Sequence, residues 1–139
     1  MKMVPRLTLD DARVMMDAAE AKAREIGVDM DIAITDDGGS LLMFHRMDNA
    51  RITSIDIAIS KAFTAAAARK STRAYGETSM PGGPSYGIHV SNQGRFMIVA
   101  GGLPFSTTVA SSGASDAARA MPIRMRWSPG RGSTPSWRV

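Results

Sequence analysis

The residues of this sequence that could take part in chemistry begin with its two histidines, His45 and His89. An imidazole nitrogen is a common axial ligand of haem iron. His89 lies close to Tyr86 and Gly87, after a long stretch rich in glycine and proline, where a ligand could approach. The alternative is a histidine at a strand edge, hydrogen-bonded to backbone or solvent. For His45, beside Arg46 at the end of an apolar stretch, that structural role is favoured more strongly.

A second group of candidates is cationic. Arg46, Lys61 and Arg95 could pair with a haem propionate or another carboxylate, and the planar fork of arginine suits that geometry. They could equally be surface charges or salt-bridge partners, although Asp56 lies five residues before Lys61, a loose spacing for a helical pair. Asp56, Lys61 and Thr64 either line a ligand pocket or contribute to helix packing or an oligomer interface.

Other kinds of site find little support. Asp36, Asp37 and Asp48 could be imagined around a hard cation, but their spacing matches no known loop, and aspartate before Gly-Gly is what a hairpin turn requires. The pairs at 82–83 and 101–102 lack the preceding strand and following helix of a phosphate-binding loop. Two unrelated histidines support no Ser/His/Asp triad, and the absence of cysteine excludes disulfides and thiolate metal sites.

The elements that must position these residues start with an amphipathic helix. Thr8 is the predicted N-cap, and Asp10 and Asp11 stand in the first turn, where they complement the helix dipole. Gly27 is a typical residue for the end of the helix. The spacing of apolar residues predicts one buried face, formed by Ala12, Met15, Met16, Ala19 and Ala23.

A β-hairpin follows the first helix. Residues 30–35 and 40–44 are predicted strands, and the Asp-Asp-Gly-Gly sequence between them supplies the positive φ angles of a tight turn.

A second helix is predicted over residues 52–70, with an apolar face holding Ile55, Ile59, Ala62 and Phe63. Residues 71–85 contain three glycines and two prolines and predict a loop, long enough to suggest a binding loop. A turn at residues 91–94 and a strand at residues 95–100 come next.

The composition predicts one small domain, because single domains typically occupy ~100–200 residues and this chain has 139. The net charge of +4 could suggest a nucleic-acid partner, but several basic residues lie after residue 118 and no basic stripe with interleaved aromatics precedes them. No export leader and no apolar run of the ~20 residues that span a bilayer are visible. We therefore expect a cytoplasmic protein without nucleic-acid or membrane partners.

Four blocks in unbroken order resemble the GlcG/HbpS-like family, which includes the C-terminal domain of PduO-type proteins. The blocks are LTLDDAR, ITDDGGSLLMFHRMDNA, SIDIAISKAFTAA and YGIHVSNQGRFMIVAGGLP, and they span residues 7–104. The resemblance implies an α+β fold with an antiparallel sheet backed by helices, assembled into homo-oligomers. Several members of the family bind haem, one is linked to haem sensing or degradation, and others have no settled activity.

The resemblance implies haem as cofactor, with His89 as the candidate iron ligand and Arg46, Lys61, Thr64 and Arg95 around the ligand. This chain departs from haem-binding relatives that use a histidine on the first helix, because its first helix has none. Met15 or Met16 could replace it as a soft axial ligand, although methionines there are typical of core filling.

The family pattern ends near Pro104, so residues 1–104 are predicted as an incomplete GlcG/HbpS-like domain and residues 105–139 as an atypical tail. The tail shows no clear strand alternation, three prolines interrupt any long helix, and Ser, Thr, Arg, Gly and Pro dominate, which predicts disorder. The tail can be reverse-translated with GC-rich codons and then read in a frame shifted by two nucleotides. One such choice of codons encodes the Asp-Gly turn, Val-Val-Gly strand and final helix of the family. We therefore suspect a frameshift near Phe105, which would leave the edge at residues 96–100 open for pairing.

Three functions remain open from the sequence. The first is binding of haem or a related tetrapyrrole near the second helix and His89. The second is an enzyme acting on a small hydroxy or aromatic acid, held by Lys61, Arg46 and Arg95. The third is a non-catalytic subunit whose role is assembly.

Overall fold

The computed structural model describes residues 6–105 and two further short strands, Arg126–Ser128 and Ser136–Arg138. The elements are helix α1 (Leu9–Glu25), strands β1 (Asp31–Thr35) and β2 (Leu41–Arg46), helices α2 (Ser54–Ala68) and α3 (Thr72–Thr78), two single-turn 3-10 helices (Ile88–Val90 and Asn92–Gly94), and strands β3 (Arg126–Ser128) and β4 (Ser136–Arg138). The chain is an α+β protein with an antiparallel pair of strands backed by helices, as predicted. None of the described helices is long and apolar enough to cross a membrane.

Helix α1 begins and ends at the predicted residues. The Thr8 hydroxyl oxygen accepts a hydrogen bond from the Asp11 backbone N–H at 3.2 Å, and the Asp11 carboxylate accepts one from the Thr8 N–H at 2.9 Å. This reciprocal capping box satisfies backbone donors that the first helical turn otherwise leaves unpaired. Gly27 follows the last turn with a φ of +70°, a conformation that glycine adopts without steric cost.

The hairpin turn depends on Asp36. Its carboxylate accepts hydrogen bonds from the backbone N–H groups of Gly38 (2.9 Å) and Ser40 (2.8 Å). Strands β1 and β2 pair antiparallel, with Asp31 opposite Arg46 and Ile34 opposite Met43. The predicted hairpin is confirmed, and the Asp36 carboxylate is occupied by turn contacts.

The hairpin lies between α1 and α2. On one face Ile34 packs with Ala12 and Met16 of α1, joined by the partly buried Leu7, Met15, Ile32, Leu42 and Met43. Met16 is fully buried, which confirms its predicted role in the core. On the other face the Thr35 hydroxyl donates to the Ala62 carbonyl of α2 at 3.3 Å. Neighbouring residues of a strand point to opposite faces, so one hairpin supports both helices.

Two predictions about residues 71–100 were wrong. The predicted loop contains helix α3, whose N-cap Ser71 accepts a hydrogen bond from the Ala74 N–H at 3.3 Å. Residues 95–100 were predicted as a strand but form no ladder among the described residues. A strand needs the backbone of another strand as partner, whereas this stretch is held by a side chain of α2, as described below.

The predicted tail lies mostly outside the described residues, and the predictions of disorder and of a frameshift fall there with it. The exceptions are β3 and β4, which pair antiparallel with Trp127 opposite Trp137. The sequence had predicted no strand in this stretch. Strands of three residues are too short for apolar and polar alternation to identify.

Candidate functional site

The segment of residues 95–102, called here the 95–102 segment, lies across α2 and is anchored by Thr64. Thr64 is fully buried, and its hydroxyl accepts a hydrogen bond from the Met97 N–H at 2.8 Å and donates one to the Arg95 carbonyl at 3.2 Å. The sequence placed Thr64 among possible ligand contacts. Both hydrogen-bonding roles of its hydroxyl are occupied by the 95–102 segment, so in this structure it positions Arg95.

The other end of the segment is held by α3. The Gly102 N–H donates to the Thr72 hydroxyl at 2.9 Å, and the Thr72 N–H donates to the Gly102 carbonyl at 3.1 Å. A Cβ at Gly76 would lie 2.5 Å from the Ile98 carbonyl oxygen, so glycine is required for α3 to approach this closely. The segment therefore has a fixed path over both helices although it belongs to no sheet.

Lys61 of α2 is half-buried beneath this segment. A Cβ at Gly101 would lie 3.0 Å from the Lys61 ammonium nitrogen and 3.4 Å from its Cδ. The Lys61 ammonium has no carboxylate partner among the described residues. Burial removes water from the charged form and lowers the pKa of Lys61 below its ordinary value of 10.5.

The Arg95 guanidinium lies on the face of the Phe63 ring, 4.0 Å from its centre. Gly39 of the hairpin turn also lies against that ring, where a Cβ would come within 2.7 Å of a ring carbon. Cation–π contact of this kind orients a guanidinium without neutralising its charge. Arg95 is exposed and has no carboxylate partner within the described part of the chain, so its charge is open to a ligand.

Arg46 lies apart from these residues. It ends β2, whereas the Gly39 turn beside Phe63 precedes the start of that strand. Five residue steps separate Leu41 from Arg46, about 17 Å at the usual rise of a strand. Arg46 is exposed and stands opposite Asp31, whose carboxylate oxygens are buried without a hydrogen-bond partner. Arg46 and Arg95 therefore flank opposite ends of the hairpin.

The two histidines have different environments. The His45 ring contacts the Glu20 carboxylate of α1, so its Nδ1 is engaged by the protein. His89 lies in the first 3-10 turn, is exposed, and has no hydrogen-bond partner among the described residues. Tyr86 (66 % exposed) and Val90 (72 % exposed) flank it. The result is an unoccupied imidazole beside exposed apolar side chains.

The predicted residues do not converge on one metal site. Within the described ranges, no three or more His, Asp or Glu side chains are close enough to hold a metal ion together. An open cleft of about 650 Å³ beside the end of α1 is lined by other residues, namely Arg24, Gly27, Val28, Asp29, Asn49 and Arg51.

Several partners of the candidate residues were missed by the sequence. Glu20 contacts His45 across 25 positions, and Phe63 was assigned only to the apolar face of its helix. Gly101 was considered only as a phosphate-loop glycine. Contacts between residues so far apart in the chain leave no local pattern that could have indicated them.

Comparison with known proteins agrees with this architecture. A family model described as "Haem degrading protein HbpS-like" matches residues 7–118. The chain belongs to the HbpS-like family. The match extends past Pro104, where the four sequence blocks end.

Two kinds of HbpS-like relative are similar in sequence. An uncharacterized 15.0 kDa protein from the dhaT–dhaS intergenic region of Citrobacter freundii is 42% identical over 101 residues, which are 73% of this chain and 71% of that protein. The corrinoid adenosyltransferase PduO of the same organism is 30% identical over 96 residues, which are 69% of this chain. The chain spans 29% of that longer protein.

Two solved structures share the fold. Protein ORFY of Klebsiella pneumoniae is 38% identical and superposes with a TM-score of 0.72, covering 75% of this chain and 72% of that one. A PduOC–haem complex is 28% identical, with a TM-score of 0.65, and covers 68% of this chain and 69% of that one.

Proposed function

We propose that this HbpS-like chain binds haem and that the imidazole of His89 would hold the iron. The observation that carries the proposal is the difference between the two histidines: His45 is engaged by Glu20, whereas His89 has no partner among the described residues. The apolar surfaces of Tyr86 and Val90 suit the face of a porphyrin ring. Family membership and the haem complex of PduOC give independent support.

The propionate groups of haem would pair with Lys61 and Arg95, because both cations lack carboxylate partners within the described part of the chain. Thr64 supports this arrangement by holding the backbone of Arg95 on α2. Arg46 lies at the other end of the hairpin. It would contact the ligand only if part of the bound haem reached that end. Bound haem would supply a redox-active iron, and the residues named here would hold and orient it.

We also propose that the chain works in the cytoplasm as a homo-oligomer. Several large apolar side chains are exposed, among them Ile52, Val90 and Val99. The backbone of residues 98–100 makes no ladder among the described residues. Open backbone groups and exposed apolar side chains are features that subunit association covers.

The test is a titration of the purified chain with hemin, followed by absorbance, in three forms: wild type, His89→Ala and His45→Ala. We expect a Soret band that saturates at a defined stoichiometry in wild type and in His45→Ala, and that is lost in His89→Ala. His45→Ala is the matched control, because it removes an imidazole already engaged by Glu20. A Soret change that does not saturate, and is equal in all three proteins, would contradict the His89 site.

A second candidate function is binding of a small hydroxy or aromatic acid. It is favoured by the unpaired cations Lys61 and Arg95, which could hold a carboxylate without haem. Saturable binding of such acids by calorimetry, weakened by Arg95→Ala, together with an unsaturable hemin titration, would favour this function over haem binding.

A further inference from the structure

Lys61 has an environment unlike that of the other lysines in the described ranges. Lys22 forms an ion pair with Glu25 at 2.5 Å, and Lys70 lies over the Tyr75 ring at 5.0 Å from its centre. Within these ranges Lys61 has neither a carboxylate nor an aromatic partner. Instead, it packs against the backbone at Gly101. An ammonium that is partly removed from water and left unpaired is destabilised relative to the neutral amine.

The 95–102 segment creates this environment. Gly102 lies so close to α2 that a Cβ there would come within 2.5 Å of the Lys61 carbonyl oxygen, and Gly101, with a φ of +128°, leaves the space that the Lys61 stem occupies. Thr64 and Thr72 hold the segment in place on either side. The amine is therefore positioned by packing, which favours a fixed nucleophile over a freely moving surface lysine.

We propose that Lys61 is a covalent site for small carbonyl compounds, in particular small aldehydes. The Lys61 nitrogen lone pair forms a bond to the carbonyl carbon as the carbon–oxygen π bond breaks, and one proton leaves the nitrogen while the oxygen takes one up, which gives a carbinolamine. The carbinolamine then loses water, and a carbon–nitrogen double bond forms. The sum is amine plus aldehyde giving imine plus water, so the step needs no oxidant, reductant or further reactant.

The chemistry of the site supports this step. Only the neutral amine is nucleophilic, and lysines with lowered pKa values are the ones that enzymes use for Schiff bases. Desolvation lowers the pKa of Lys61 and so favours its neutral, nucleophilic form. The half-buried position admits small aldehydes more readily than bulky ones.

The test uses the whole chain with butanal and cyanoborohydride, which reduces the imine to a stable secondary amine. Peptide mass spectrometry then gives the initial labelling rate of each lysine as a function of pH. We expect Lys61 to be labelled faster than Lys70 at neutral pH, because desolvation favours the neutral amine of Lys61, whereas the Lys70 ammonium lies over the Tyr75 ring. Labelling of Lys61 should persist as the pH falls below 10.5, because its pKa is lowered from that ordinary value.

Two variants act as controls. Lys61→Arg keeps the charge but removes the nucleophile, so the fast adduct should disappear while labelling of Lys22 and Lys70 is unchanged. Gly101→Ala displaces the amine and should reduce the rate difference. Wild-type labelling of Lys61 at or below the rate of Lys70 would overturn the proposal without requiring either variant to fold. The experiment contains no haem, so its outcome is separate from that of the hemin titration.

Discussion

At the scale of single residues, the clearest structural feature is the buried hydroxyl of Thr64. Its oxygen accepts from the Met97 N–H at 2.8 Å and its hydrogen is donated to the Arg95 carbonyl. Because Thr64 has no exposed surface, water cannot replace these contacts when the hydroxyl is lost. One side chain thus connects α2 to the segment that carries Arg95.

We expect Thr64→Val to destabilise the chain by about 1–3 kcal/mol, because the substitution keeps the shape but leaves the Met97 N–H without its acceptor. Urea unfolding followed by circular dichroism measures the change. Thr64→Ser, which keeps the hydroxyl, is the matched control and should lose less. A loss in Thr64→Ser with none in Thr64→Val would show that the methyl group of Thr64 matters and its hydrogen bonds do not.

At the scale of elements, the hairpin turn packs against α2 at Gly39, which lies beside the Phe63 ring. Gly39 has a φ of +82°, and a Cβ there would lie 2.7 Å from the Phe63 ring. That ring in turn supports the Arg95 guanidinium. The turn therefore does more than reverse the chain, because its closeness to Phe63 sets the position of a candidate ligand contact.

Replacement of Gly39 by alanine should cost stability for two reasons, the positive φ and the contact with Phe63. Gly82 has the same φ of +82° but nothing within 4 Å of a Cβ, so Gly82→Ala carries the backbone cost alone. We expect Gly39→Ala to be the more destabilising by about 1–3 kcal/mol, the usual cost of overpacking. Thermal and urea unfolding of both variants give the difference, and equal losses would mean that the Phe63 ring moves aside without cost.

At the scale of the whole molecule, the four sequence blocks that resemble the family end at Pro104. The alignment with the Citrobacter freundii protein covers 101 residues, which are 73% of this chain and 71% of that one. In each protein, a little over a quarter of the sequence therefore lies outside the alignment. The family model nevertheless extends to residue 118. The frameshift near Phe105 stays a prediction from the sequence, and the family match beyond that point makes its test decisive.

We predict that a single-base change near the codon of Phe105 restores the turn, strand and final helix of the family. Sequencing the gene from its source tests this directly, and the proposal fails if no such change recovers the family's ending. The restored chain should also be the more stable one, because the family's added strand would offer backbone partners to residues 98–100, which have no ladder here. Urea unfolding of the two versions gives the comparison.

The sequence by itself determined α1 and the hairpin, including the capping residue Thr8 and the turn at Asp36. The cap and the turn depend on hydrogen bonds between residues at most four positions apart, so the residue types alone carry the information. The candidate site residues were chosen for the chemical groups of their side chains. Those groups do not indicate which residues contact them in the folded chain.

Only the tertiary structure decided which of those residues are free and which are engaged. The Glu20–His45 contact and the Thr64–Arg95 hydrogen bond join positions 25 and 31 residues apart, and Gly101 meets Lys61 only because the 95–102 segment crosses α2. The same reason explains the missed path of residues 95–100. A strand exists only when another strand supplies its hydrogen bonds, and here Thr64 supplies one of them instead.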